Sequence, residues 1–254
     1  MAQIKAIFFD QDGVIIDTER DGHRVSFNDT FKHFGYDFEW GVDYYHELLQ
    51  VAGGKERMKH HLHTKGFGKE VDPQEEDELI KAMHKWKTSR FIEMIESGQL
   101  PLRPGIHRFM KEAMEAGLIL GVCTTSNERS ARAVAYQILS DINFSFVLAG
   151  DVVSKKKPDP EIYLLGLEKS GLSSDEVVVI EDSRNGVLAA KAAGLSVVAT
   201  TNVYTEKEDL SDAEIIVTCL GDPEGEKGVM TKGGEGMQFD GVLHVDQVLK
   251  YFSS

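Results

Sequence analysis

Lys5-Ala6-Ile7-Phe8-Phe9-Asp10-Gln11-Asp12-Gly13-Val14 is the stretch around which the rest of this 254-residue chain is organised. An apolar run stops there on two carboxylates and a glycine. Ile7, Phe8 and Phe9 are consecutive rather than alternating, as in a central strand covered on both faces. Asp10 and Asp12 then fall at the carboxyl end of that strand. Residues i and i+2 of an extended chain point the same way, so both carboxylates can face one pocket, and Gly13 lets the backbone turn away beside a ligand. Two anions that close favour a divalent cation, and Mg²⁺ takes hard oxygen ligands of this kind. Asp-Gly alone is also a common turn signal. A calcium loop would need Gly and Glu where Ile15 and Asp21 stand.

Working outward, the composition is that of a soluble globular protein, with 41% hydrophobic and 28% charged residues. No apolar run approaches the roughly 20 residues of a membrane span. A formal net charge of -14 argues against unaided binding to nucleic acid or to an anionic membrane. An anionic substrate therefore needs a local cationic pocket or a metal. The two cysteines, Cys123 and Cys219, have no C-x-x-C spacing and suit a reducing compartment.

From Thr18 to Gly98 the strand pattern gives way to helices. They are expected over 21–34, 43–50 and 55–65, with a longer one opening at Pro73 whose face carries Leu79, Met83, Trp86, Phe91 and Ile95. His60, His61 and His63 read as a solvated helix face rather than a metal cluster. Short apolar strands then alternate with helices, the signature of a parallel sheet with helices on both faces. Helix 106–116 is followed by strand 118–123, and Thr125 with Glu128 has capping-box spacing for a helix reaching Leu139. Strands 146–149, 177–180, 197–199 and 215–217 follow, with helices starting at Asp159-Pro160-Glu161 and after Glu181-Asp182. The glycine-rich stretch 221–241 reads as loop. The expected fold is α/β, a doubly wound Rossmann-like parallel core formed by 1–17 and 99–254, with an inserted α-helical cap over 18–98.

In such sheets ligands bind outside the carboxyl ends of the strands, where Asp10, Asp12, Thr124 and Asp182 all fall. Read singly, Thr124 is also a possible helix cap, Lys155-Lys156-Lys157 a solvated run and Glu181-Asp182 a helix-start pair. Together, Asp10-Gln11-Asp12-Gly13, Thr124, Lys157-Pro158 and Glu181-Asp182 resemble the four motifs of the haloacid dehalogenase superfamily of phosphatases. The resemblance implies that Asp10 is a nucleophile forming an aspartyl-phosphate and that Asp12 is the general acid and then base. It implies that Thr124 and Lys157 hold the transferring phosphoryl group, and that Asp10, Asp12 (through its carbonyl), Glu181 and Asp182 surround Mg²⁺.

The insertion resembles the helical cap of the subgroup containing β-phosphoglucomutase and phosphoglycolate phosphatases. A closer likeness, to CbbY-type xylulose-1,5-bisphosphate phosphatases and their plastid branch, rests on Thr18-Glu19, His23-Arg24, Phe27-Asn28-Asp29-Thr30-Phe31, Gly53-Gly54-Lys55-Glu56-Arg57 and Thr125-Ser126-Asn127-Glu128. It implies hydrolysis of xylulose 1,5-bisphosphate to xylulose 5-phosphate and phosphate. Its implied substrate contacts are Glu19, His23, Arg24, Gly53, Gly54, Lys55, Arg57, Thr125, Ser126 and Asn127. A mutase, or a phosphatase of another small ester such as phosphoglycolate, shares the chemistry. The expected partner is a small sugar phosphate, with no nucleic acid and no membrane. The chain is expected to be a monomer in the cytoplasm, or in the plastid stroma if the source is photosynthetic and a leader has been trimmed. A second substrate phosphate needs its own anion site, for which Gly53-Gly54 at a helix start offers free N–H groups beside Lys55 and Arg57.

Overall fold

The computed structural model describes residues 3–51 and 53–253. The chain divides into two compact units: residues up to Asp17 together with those from Pro101 onward, and Thr18–Leu100.

In the first unit, β1 (Ala6–Phe9) pairs in parallel with β2 (Ile119–Cys123) on one side and β4 (Val177–Glu181) on the other, Ala6 lying opposite both Ile119 and Val177. β3 (Phe146–Leu148) lies outside β2, while β5 (Ser196–Thr200), β6 (Ile215–Val217) and β7 (Met230–Lys232) extend from β4. The order is β3-β2-β1-β4-β5-β6-β7, all parallel except the β6–β7 pair. The chain thus winds outward from β1 on one side, then returns to β4 on the other. That reversal opens a crevice at the carboxyl ends of β1 and β4, the usual ligand position in this class of sheet.

Both faces of β1 are covered, which explains its unbroken apolar run. Ala6 and Phe8 join a core with Ile162 and Tyr163 of α7 (Glu161–Ser170) and Val187 and Ala190 of α8 (Arg184–Ala192). Phe9 meets the ring of Phe109 in α5 (Ile106–Glu115) edge-on at 6.4 Å. Glu112 of α5 also accepts from the Val245 N–H at 3.0 Å, seating a C-terminal helix, Val245–Phe252, that the sequence pattern did not reveal.

Two further expectations need correction. The stretch 221–241 is not all loop, because β7 lies within it. Three residues of Met-Thr-Lys, partly exposed at the sheet edge, are too few to show alternation. The helix after β2, α6 (Glu128–Ala133), is capped not by Thr125 but by Asn127, whose side chain accepts from the Arg129 and Ser130 N–H groups. It continues through a wider π turn to Ile138.

The second unit is helical. A π turn (Thr18–His23) leads into α1 (Arg24–His33), followed by α2 (Val42–Leu48), α3 (Gly54–Thr64) and α4 (Glu76–Glu96). Its interior is aromatic: Phe27, Phe31, Trp40, Tyr45 and Phe67 are fully buried. Buried Asn28 fastens the connection after α1 by donating to the Trp40 carbonyl at 3.1 Å and accepting from its N–H at 2.8 Å. His61 is not on a solvated face as expected. It is buried among Phe31, Phe38 and Phe67, bonded to Tyr44 Oη at 2.9 Å, and burial pushes its pKa down to about 4. Three histidines within four residues hide a core position because only one of them can share the apolar stripe.

Candidate active site

The end of β1 turns as its composition requires. Asp10 N–H still donates to Ile180 O at 3.0 Å, continuing the ladder, but the next carbonyl, Gln11 O, accepts from Ile15 N–H at 2.8 Å and closes a turn. Gly13 has φ +78°, and a side chain there would collide with the carboxylate of Asp182. Arg103 locks the turn from behind. Its guanidinium donates to Gly13 O, to Thr200 Oγ1 at 3.1 Å, to Thr201 O at 2.6 Å and to Thr218 O at 2.9 Å.

Lys157 is buried against this turn. Its Nζ donates to Asp10 Oδ1 at 2.7 Å and to Glu181 Oε1 at 2.6 Å, and sits 5.0 Å from the centre of the Tyr163 ring. Burial opposes its charge, but the Asp10 and Glu181 carboxylates more than offset that and raise its pKa above the ordinary lysine value. Lys157 therefore belongs to the crevice, unlike its neighbour Lys155, which is exposed and paired with Asp159. Glu181 is saturated within the protein. Its Oε1 also accepts from Tyr163 Oη at 2.6 Å, and its Oε2 accepts from the N–H groups of Asp182 at 3.0 Å and Ser183 at 3.4 Å.

Asp182 follows β4 and receives Asn202 Nδ2 at 2.7 Å on Oδ2. Oxygens of Asp10, Glu181 and Asp182 all lie within 4.8 Å of one another. Burial raises the pKa of Asp10 to about 7 against the pull of Lys157, with Glu181 and Asp12 adding to the rise. Burial and the neighbouring Glu181 and Asp10 raise Asp182 well above the carboxylate range. Carboxylates thus outnumber the cations around them, and a hard divalent ion fits this imbalance.

Asp12 accepts a hydrogen bond from Ser126 Oγ. Thr124 is buried and its Oγ1 accepts from Ser126 N–H at 3.1 Å. Thr125 is half-buried, and Asn127 is exposed with its oxygen occupied in capping α6. Gln11 is fully buried between the two aspartates, and neither atom of its amide has a hydrogen-bond partner among the described residues.

The second unit gathers some of the remaining candidates. Glu19 Oε2 accepts from Tyr45 Oη at 2.6 Å, and Arg57 donates to the same hydroxyl at 3.3 Å and to Val51 O at 2.9 Å. His23 stacks on Phe91 at 3.9 Å and bonds through Nδ1 to Lys87 Nζ at 2.7 Å. Burial, with Lys87 and Arg57 adding to it, holds His23 well below its ordinary pKa, so the neutral ring can accept from the ammonium. Arg24 is turned away to the carbonyls of Arg20 and Trp40, both at 3.2 Å. Gly53 and Gly54 open α3, and Lys55 is exposed beside them.

Lys87 was not singled out from the sequence. The signal was present, since it lies four residues after Met83 on the buried face of α4 with Ile80, Met94 and Ile95. A lysine on an apolar helical stripe is a candidate buried cation.

Residues 4–194 match the family model for haloacid dehalogenase-like hydrolases. The chain belongs to the haloacid dehalogenase-like hydrolase family. It is an enzyme, a phosphatase of this family. It is 44% identical over 226 residues to a CBBY-like protein of Arabidopsis thaliana, covering 87% of this chain and 71% of the relative. Against protein CbbY of Rhodobacter capsulatus the identity is 40%, over 84% of this chain and 92% of the relative. A crystal structure of a CbbY mutant from Rhodobacter sphaeroides in complex with xylulose-(1,5)bisphosphate is similar at TM-score 0.64 and 37% identity, covering 85% of this chain and 94% of that one. Among the described residues no helix is long and apolar enough to cross a membrane.

Proposed function

We propose that this phosphatase is Mg²⁺-dependent and removes the 1-phosphate of xylulose 1,5-bisphosphate through an aspartyl-phosphate on Asp10. The observation that carries the chemistry is the Asp10–Lys157 pair, buried at the switch point of the sheet with Asp182 beside it. One Asp10 oxygen attacks phosphorus as the bond to the sugar oxygen breaks, and the leaving oxygen takes a proton from Asp12. Water then attacks phosphorus, gives its proton to Asp12 and frees Asp10 with inorganic phosphate. Lys157 counters charge on the phosphoryl oxygens, and Thr124 with the N–H groups ahead of α6 completes their seat. Asp10 and Asp182 would hold Mg²⁺, which when bound neutralises charge on the transferring group. Glu181, with both oxygens already bonded, serves by holding Lys157.

The choice of substrate rests on likeness to the CbbY proteins, one of which was crystallised with that bisphosphate. Charge in the second unit agrees with it. Arg57 lies close enough to Lys87 to weigh against its charge, a local concentration of positive charge in an otherwise acidic protein. Incubation with xylulose 1,5-bisphosphate, xylulose 5-phosphate and phosphoglycolate, with Mg²⁺ or with chelator, tests the reading. Metal-dependent phosphate release fastest from the bisphosphate supports it. Conversion of xylulose 5-phosphate to an isomeric monophosphate without free phosphate would establish a mutase instead.

A further inference from the structure

We propose that Asn202 is a positioning residue that makes Asp182 a one-oxygen ligand, and that it thereby selects Mg²⁺ over Ca²⁺ at this site. The inference rests on the reading of Asp10 and Asp182 as the metal-holding pair.

Asn202 stands just after β5, and its amide has only one workable orientation. Oδ1 accepts from the N–H groups of Tyr204 at 2.9 Å and Thr205 at 3.2 Å, so the other end, Nδ2, must be what faces Asp182 Oδ2 at 2.7 Å. The backbone beneath it is fixed as well. Asn202 N–H donates to Thr205 Oγ1 at 3.1 Å, and Arg103 holds the preceding carbonyl, Thr201 O, with the same guanidinium that grips Gly13 O. Gly13 itself lies against both Asp182 Oδ2 and Asn202 Nδ2. The Oδ2 side of Asp182 is thus closed by a donor and by backbone, and Oδ1 is the oxygen left to offer.

This bears on which cation fits. Mg²⁺ takes a near-ideal octahedron of single oxygens, whereas Ca²⁺ takes six to eight and readily accepts both oxygens of one carboxylate. A carboxylate with one oxygen engaged in a short hydrogen bond satisfies the first demand and obstructs the second. Partners in the outer shell of metal sites act in this way, by fixing how a ligand is presented.

The test is calorimetric titration of the full-length protein with MgCl₂ and, separately, with CaCl₂. In Asn202→Ser a hydroxyl can still accept from the turn N–H groups but stops short of Asp182. The proposal expects Mg²⁺ affinity in this variant to fall about 10- to 100-fold, with Ca²⁺ affinity falling less or rising. Thr205→Val loosens the turn but keeps the Asn202 donor, and the ratio of the two affinities should stay near that of wild type. An unchanged ratio in a folded Asn202→Ser protein, or an equal loss of the ratio in Thr205→Val, overturns the proposal while leaving the metal-holding pair standing. Failure of the wild type to bind either ion overturns the pair itself, and this inference with it.

Discussion

Lys157 Nζ lies 2.7 Å from Asp10 Oδ1, and both side chains are buried. The lysine is shared with Glu181, whose side chain is fully enclosed, so a single ammonium serves two buried carboxylates. Removing it should leave both uncompensated. Lys157→Met is therefore expected to destabilise the protein by about 3–5 kcal/mol and to slow phosphate release strongly. Denaturant unfolding and steady-state assays check the two parts. Unchanged stability would mean that the pair is weak in solution, and an unchanged rate would remove Lys157 from the chemistry.

Gly186 is the counterpart of this pair on the far side of Glu181. A Cβ built there would overlap the Glu181 carboxyl group, which cannot step aside because Lys157, Tyr163 and the Asp182 N–H hold it. Gly186→Ala should cost about 1–3 kcal/mol of stability and also lower kcat, since moving Glu181 moves Lys157. A thermal melt with a kcat measurement on the same preparation would show this. A loss of stability with normal kcat would contradict the link.

Burial of Lys87 predicts a pH effect with a definite sign. Desolvation lowers its pKa from 10.5 to about 8, against the opposing pull of Glu19. The native state therefore binds this proton less tightly than the unfolded chain. Below pH 8 the lysine is charged in both states and folding bears the full desolvation cost, of order 3 kcal/mol by linkage. Between pH 8 and 10.5 that cost should be relieved as the native lysine loses its proton. Lys87→Met should raise stability near neutrality, and the difference between variant and wild type should shrink as pH rises through that window. A difference that grows with pH would reject the assignment. The reading is followed most simply by melting curves of both proteins at pH 7, 8.5 and 10.

The sequence announced the core better than the inserted unit for a physical reason. Asp10, Asp12, Thr124, Lys157 and Asp182 each follow a strand or a short loop after one, and a parallel sheet brings strand ends together whatever lies between them. Even there, the motif residue Glu181 told nothing of its partners. That it bonds Tyr163 and Lys157 with one oxygen and backbone with the other depends on tertiary packing. The helices of the inserted unit carry no such rule. Arg24, next to His23 in sequence, is turned to backbone carbonyls, while Lys87, 64 residues from His23, bonds it directly. Likewise Asn127 reads as a substrate contact by resemblance, yet its oxygen caps α6.

Substrate preference can be separated from catalysis by charge. A charge-assisted hydrogen bond is worth roughly 1.5–3 kcal/mol, so Arg57→Ala should lower kcat/KM for xylulose 1,5-bisphosphate by about 10- to 150-fold. For p-nitrophenyl phosphate, which has no second phosphate, it should change little. Lys55→Ala, at an exposed position, is the comparison for loss of charge alone. Equal losses on both substrates would show that Arg57 supports its unit through Tyr45 rather than reading the ligand.

The central claim is that Asp10 carries the phosphoryl group. Asp12→Asn keeps the attacking carboxylate but lacks both the acid of the first step and the base of the second, a function worth about 10²- to 10⁴-fold. The intermediate should therefore build up in it when the leaving group needs no proton, as with p-nitrophenyl phosphate. The direct measurement is acid quenching of this variant and of wild type during turnover of p-nitrophenyl phosphate, followed by mass analysis of the peptide bearing Asp10. The account predicts one added phosphoryl group on Asp10, more abundant in Asp12→Asn than in wild type, with no such species and no turnover in Asp10→Asn. A phosphoryl group on any other residue, or turnover persisting in Asp10→Asn, would contradict it.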